Sequence, residues 1–165
     1  MRTDAIFKLL ADRLPEDDAV VLPVLLYGSA DVALGLANDV ERIARALREK
    51  FPHVLIRVRA DSGYAKPWFY RLCERLDIEY SIGLGMNPVL KRNSEELLER
   101  AVEQCEETSQ PQRLFTGFDY QAGTWEQPRW VVLKCEANFQ GTNRRAVVTN
   151  RPGARTLMSA RICGL

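Results

Sequence analysis

The sequence predicts an α/β fold whose last third becomes an antiparallel β-meander, and three observations carry that prediction. An apolar, β-branched run, Val54-Leu55-Ile56-Arg57-Val58, leads into Arg59-Ala60-Asp61-Ser62-Gly63. It reads as a buried strand over residues 54–58 that delivers a carboxylate to its C-terminal end. Just upstream, Val40, Ile43, Ala44, Leu47 and Phe51 recur at the spacing of one helical face, with Glu41, Arg42, Arg45, Arg48 and Glu49 on the other. Pro52 ends that helix, so helix and strand pack as part of a βαβ unit. Beyond Thr108-Ser109-Gln110-Pro111 the helical spacing disappears, and three strand-like runs follow between Gly-, Asn- and Pro-containing turns.

The earlier elements follow in order. Ile6, Phe7, Leu9, Leu10 and Leu14, with Thr3 or Asp4 as cap, predict a helix over 3–14. Residues 19–27 read as a strand that Pro23, lacking a ladder donor, pushes toward a sheet edge or bulge. After the Asp61 turn, Pro67 opens a helix whose inner face is Trp68, Phe69, Leu72, Cys73 and Leu76. A strand over 79–84 and a helix over 89–107 complete the α/β part. The helix carries Leu90, Leu97, Leu98, Ala101, Val102 and Cys105 inward and an acidic, solvated face outward. The meander strands are predicted at 113–120, 129–136 and 144–149.

With 165 residues, 46% hydrophobic and 27% charged, the chain is expected to form one globular domain over 1–165. No apolar run is long enough to span a membrane, and Met1-Arg2-Thr3-Asp4 does not begin a signal peptide, so a cytoplasmic protein is expected. The four cysteines, at 73, 105, 135 and 163, form no Cys-x-x-Cys pair, and His53 is the one histidine, which argues against a zinc site. Cys73 reads as core filler. The net charge of +1 is unevenly spread: residues 1–110 carry 15 Lys and Arg against 19 Asp and Glu, and residues 111–165 carry 8 against 3. The basic last third suits contact with phosphates.

Asp61 has two readings at this stage. It either caps the turn that Ser62 and Gly63 build, or it is a site residue at a strand's C-terminal end, where ligands of open α/β sheets collect.

The phrase Arg59-Ala60-Asp61-Ser62-Gly63-Tyr64 follows the helix and strand of residues 39–58 and precedes Glu79-Tyr80-Ser81-Ile82-Gly83-Leu84. In that setting it resembles DDE-type bacterial insertion-sequence transposases. Arg129-Trp130-Val131-Val132-Leu133-Lys134 and Arg145-Ala146-Val147-Val148-Thr149-Asn150 extend the resemblance, which covers residues 20 to 150. It implies an RNase H-like core, incomplete here, over 19–107, a β-rich insertion over 111–150 and a divergent tail over 151–165. It also implies that Asp61 is the second acid of a metal-binding Asp-Asp-Glu triad, acting with Mg²⁺ or Mn²⁺ in DNA cleavage and strand transfer. Transposon-end DNA is the implied partner, with Arg144, Arg145 and Arg151 as candidate contacts.

The family's first Asp belongs upstream of the strand at 19–27, and its Glu lies on a helix after the insertion. The tail from Arg151 to Leu165 contains no acid. The expectation is therefore a truncated, catalytically incomplete copy. The strand at 54–58 would then keep an unpaired edge, favouring self-association or pairing with an intact transposase. Two alternatives stand beside this: a non-catalytic DNA- or partner-binding remnant, and an unrelated small α/β enzyme acting on a phosphorylated small molecule. The absence of a Gly-rich phosphate loop weakens the second.

Overall fold

A computed structural model describes residues 20–21 and 32–155. The helix expected at 3–14, most of the strand at 19–27, the end of the tail and Cys163 lie outside the described residues. Within them the chain is a mixed α/β protein. Its elements are β1 (Val20–Val21), α1 (Val32–Lys50), β2 (Ile56–Ala60), a 3₁₀ turn (Ser62–Tyr64), α2 (Pro67–Arg75), β3 (Glu79–Leu84), α3 (Pro88–Asn93), α4 (Glu95–Thr108), β4 (Gln112–Tyr120), β5 (Arg129–Asn138) and β6 (Gly141–Thr149). Two compact units share them, Met1–Val58 with Arg71–Glu79, and Arg59–Tyr70 with Tyr80–Leu165.

In the first unit β1 runs parallel to β2, Val20 opposite Ile56 and Val21 opposite Arg57. The edge of β2 expected to be bare thus has a two-residue partner. The strand itself is displaced from the predicted 54–58: the Val54 amide donates to the Phe51 carbonyl at 3.1 Å, so the Pro52 turn consumes Val54 and pairing begins at Ile56. Helix α1 begins well before Asp39, whose carboxylate is an acceptor for Arg42 one turn on at 3.3 Å, within the helix. Val40, Ala44 and Leu47 are its buried stripe, as the spacing predicts. Glu41 accepts from Arg45 and, at 2.9 Å, from Arg75. Arg57 donates to Glu79 at 2.7 Å. Asp77, in the left-handed region with φ 48°, makes the tight turn before β3, a conformation Asp tolerates better than most residues. Arg48 donates to its carbonyl at 3.0 Å.

In the second unit β4, β5 and β6 form the predicted antiparallel meander, and β6 continues it by pairing antiparallel with β3, Ile82 opposite Val148 and Leu84 opposite Ala146. β5 and β6 are longer than predicted because their register continues to a two-residue connection, with Asn138 opposite Gly141. Gly141 has φ +134°, which a side chain would strain. Along β5 the side chains alternate, Val131, Leu133, Cys135 and Ala137 being buried. Helix α4 lays Ala101 and Cys105 against Ala137, with Val102 and Leu114 around them.

The single helix expected over 89–107 is two. Asn87 caps α3, accepting from the Leu90 amide at 2.9 Å, and Pro88 opens it. Buried Ser94 then interrupts, its Oγ donating to the Lys91 carbonyl at 2.7 Å. A short hydroxyl side chain that bonds its own backbone competes with helix continuation. The glutamates of α4 face solvent as expected. Phe69 and Cys73 are buried as predicted, and Tyr70, not foreseen as core, is fully buried beside them in α2.

Candidate functional site

Asp61 stands one residue beyond β2 and is exposed. Its backbone is extended (φ −79°, ψ −178°), and Oδ1 accepts the Gly63 amide at 2.8 Å. The Tyr64 amide donates to the Asp61 carbonyl at 3.2 Å, and the Ala65 amide to the Ser62 carbonyl at 3.2 Å, closing the 3₁₀ turn. The capping reading is therefore realised, and it does not exclude the other, because the cap engages one carboxylate oxygen and leaves the side chain exposed.

The turn is packed backbone to backbone. A Cβ on Gly83 of β3 would lie 3.3 Å from the Ser62 nitrogen and 3.6 Å from the Asp61 Cα. A glycine inside a strand commonly marks such an approach, and that signal was available in Ile82-Gly83-Leu84.

An ionised aspartate at this position can serve as a hard oxygen ligand for Mg²⁺ or Mn²⁺. A two-ion phosphoryl-transfer site needs several such ligands. Among the described residues no group of three or more His, Cys, Asp or Glu comes together. They fit one ligand of such an ion and not the complete set.

The candidate DNA contacts are dispersed in role. Arg144 is engaged inside the second unit: its guanidinium donates to both Glu95 oxygens at 3.0 and 3.1 Å, to the Lys91 carbonyl at 3.1 Å and to Ser94 Oγ at 3.3 Å. This pairing holds the Glu95 carboxyl below its ordinary range and raises Arg144. Arg145, on the opposite face of β6, is exposed and lies across from Lys134 of β5. Lys134 pairs with Glu136 at 2.7 Å. Arg151 is exposed, and its amide donates to Thr149 Oγ1 at 3.2 Å.

Sequence reasoning missed a buried aromatic cluster because Trp125 and Arg129 sit in and beside a run rich in turn residues. The Arg129 guanidinium lies 4.8 Å from the Tyr70 ring and 5.7 Å from Trp125. Tyr70 also stacks on Tyr80 at 5.5 Å, and burial raises its hydroxyl pKa. Asn87 donates to the Tyr120 hydroxyl at 2.8 Å.

A mixed α/β chain that presents an aspartate at a strand end, followed by an antiparallel β-meander, is of a class that can place a carboxylate for metal-dependent chemistry. The family model described as transposase DDE domain group 1 matches residues 16–163, and the chain belongs to that family. Comparison with curated proteins and with solved structures found no match. Membership assigns the chain to transposition in general, in a family that generally uses divalent metal ions and acts on DNA.

Proposed function

We propose that the chain carries part of an RNase H-like transposase core in which Asp61 is the second acid of the Asp-Asp-Glu triad. The single observation that carries this reading is the exposed Asp61 carboxylate at the end of β2, in a chain matched by the DDE family model over nearly its whole length. Divalent ions would supply an activated oxygen nucleophile and a stabilised leaving oxygen. Asp61 would contribute one hard oxygen ligand, and among the described residues no group of three or more His, Cys, Asp or Glu completes a site around it. In this proposal the chain by itself is inactive in cleavage and strand transfer.

The test is nicking of supercoiled plasmid by the purified chain with Mg²⁺ or Mn²⁺, beside Asp61→Ala. No nicking is expected from either protein. Nicking that disappears in Asp61→Ala would establish a competent site and overturn the incompleteness.

A second reading, non-catalytic DNA binding, is favoured by the exposed Arg145 opposite Lys134 and by exposed Arg151. Transposon-end DNA is the proposed partner, and Arg144, committed to Glu95, contributes to folding instead. Fluorescence anisotropy across a salt series checks it. Arg145→Ala should reduce the slope of log K against log salt by about 0.9, the value of one phosphate contact. An unchanged slope would remove Arg145 from the interface.

A further inference from the structure

We infer that Gly63 and Gly83 are positioning residues for the Asp61 carboxylate, one within the turn and one on the neighbouring strand. The inference rests on the reading of Asp61 as a metal ligand. Glycine inside a strand gives up side-chain packing and costs backbone entropy, so its presence at position 83, between buried Ile82 and half-buried Leu84, calls for a physical reason. The reason is steric. A Cβ at Gly83 would stand 3.3 Å from the Ser62 nitrogen, 3.5 Å from the Asp61 carbonyl carbon and 3.6 Å from the Asp61 Cα. These are backbone atoms, which cannot swing aside as the end of a flexible side chain can. Only the approach to the Ser62 nitrogen is closer than ordinary contact, so a methyl group there nudges the Asp61–Ser62 peptide while touching the rest of Asp61 at normal distance.

Gly63 acts on the other end of the same residue. Its amide donates to Asp61 Oδ1 at 2.8 Å, and a Cβ on it would lie 3.0 Å from that oxygen. A side chain at position 63 therefore crowds that oxygen and shifts it relative to the amide that orients it. Gly83 sets where the Asp61 backbone sits, and Gly63 sets which way its carboxylate turns. Gly85, one residue beyond β3, has nothing within 4 Å of its Cβ position and serves as the control.

The experiment uses the ¹⁵N-labelled full chain, with two readouts on each variant: hydrogen exchange of the Gly63 amide, and the broadening of amides 61–64 by added Mn²⁺. In the parent protein Mn²⁺ should broaden these amides, and Asp61→Asn should abolish the effect. Gly63→Ala and Gly83→Ala should remove most of it. Gly83→Ala should also speed Gly63 exchange roughly fivefold to tenfold, the effect of losing one hydrogen bond. Gly85→Ala should match the parent in both.

Parent-like exchange and broadening in the folded position-63 and position-83 variants would overturn the inference. If the parent shows no broadening near Asp61 while Gly83→Ala still speeds Gly63 exchange, the carboxylate positioning stands and the metal-ligand reading falls. Should Gly83→Ala fail to fold, Gly63→Ala decides the matter from the Mn²⁺ response, because its turn is exposed and only Asp61 lies within reach of the new methyl.

Discussion

Trp130 and Gly117 illustrate how single residues set the second unit. Gly117 lies opposite Val132 on β4, and a Cβ on it would fall 2.6 Å from Trp130 Cζ2 and 2.9 Å from Cε2. The indole lies over the glycine, and Arg155 covers the ring at 4.5 Å while pairing with Asp119. Gly117→Ala must expel the ring or bend the strand, which should cost about 1–3 kcal/mol, the usual penalty of overpacking. Thermal unfolding with Trp fluorescence reads both the loss and the ring's release; an unchanged melt would mean the ring shifts without cost. The thiols give a second test at this scale. Cys73, Cys105 and Cys135 are buried, and desolvation pushes the Cys73 thiol up to about 12. Thiolate is the reactive form, so native protein at pH 8 should leave these three unalkylated, and denaturant should expose them. Peptide mapping after alkylation separates them from Cys163, and native labelling of Cys73 would contradict its burial.

The ion pairs show how elements are held together. Arg144 joins β6 to the junction of α3 and α4 through Glu95, the Lys91 carbonyl and Ser94. Its side chain is 24% exposed, whereas Arg113, paired with Glu136 at 2.7 Å, is 65% exposed. Bonds from a shielded charge to backbone and side-chain acceptors outweigh a solvated pair. Arg144→Ala should therefore cost about 1–3 kcal/mol and Arg113→Ala about 0–1 kcal/mol. Equal costs by urea unfolding would show that the junction does not depend on Arg144.

These pairs also predict a pH response. Glu95 and Glu136 are held below their ordinary 4.5, chiefly by the Arg144 and Lys134 hydrogen bonds respectively. A lowered folded-state pKa contributes stability that is complete above 4.5 and disappears as pH falls through the folded value. The midpoint of urea unfolding should be level above pH 5.5 and drop below pH 4.5. Glu136→Gln should flatten part of that drop, and an undiminished drop would assign it to other carboxylates.

Across the whole molecule, protection should be uneven. β5 and β6 are each paired on both sides, and Val131, Leu133, Cys135 and Val148 are buried. β1 contributes two residues to a single pairing with β2. Amide exchange should therefore be slowest in β5 and β6 and faster around Ile56 and Arg57, since local opening tracks pairing and burial. Uniform protection would indicate one cooperative unit. The β1 pairing also removes the ground on which a fully bare flank of β2 was expected to drive self-association. Light scattering after size-exclusion chromatography measures the oligomeric state directly.

Much of this protein was legible in its residues. The α1 stripe, β3, the meander and the polar exposure of the α4 glutamates follow from local periodicity and turn chemistry, which act over a few residues. The phrase around Asp61 pointed to the family that the chain proves to belong to. What local pattern did not carry depends on contacts between residues far apart in sequence. Two local details are exceptions: the Val54 amide turns back to the Phe51 carbonyl before β2, and the Ser94 hydroxyl bonds the Lys91 carbonyl at the break between α3 and α4. The pairing of β6 with β3 joins residues more than sixty positions apart. Arg144 illustrates the same limit. Composition made it one more cation of a basic segment, and only the packing of β6 beside Glu95 tied its charge to a carboxylate while leaving Arg145 on the opposite, exposed face. Alternation along a strand sends neighbouring side chains to opposite faces, but which face is covered is decided by the helices that the tertiary fold lays against it.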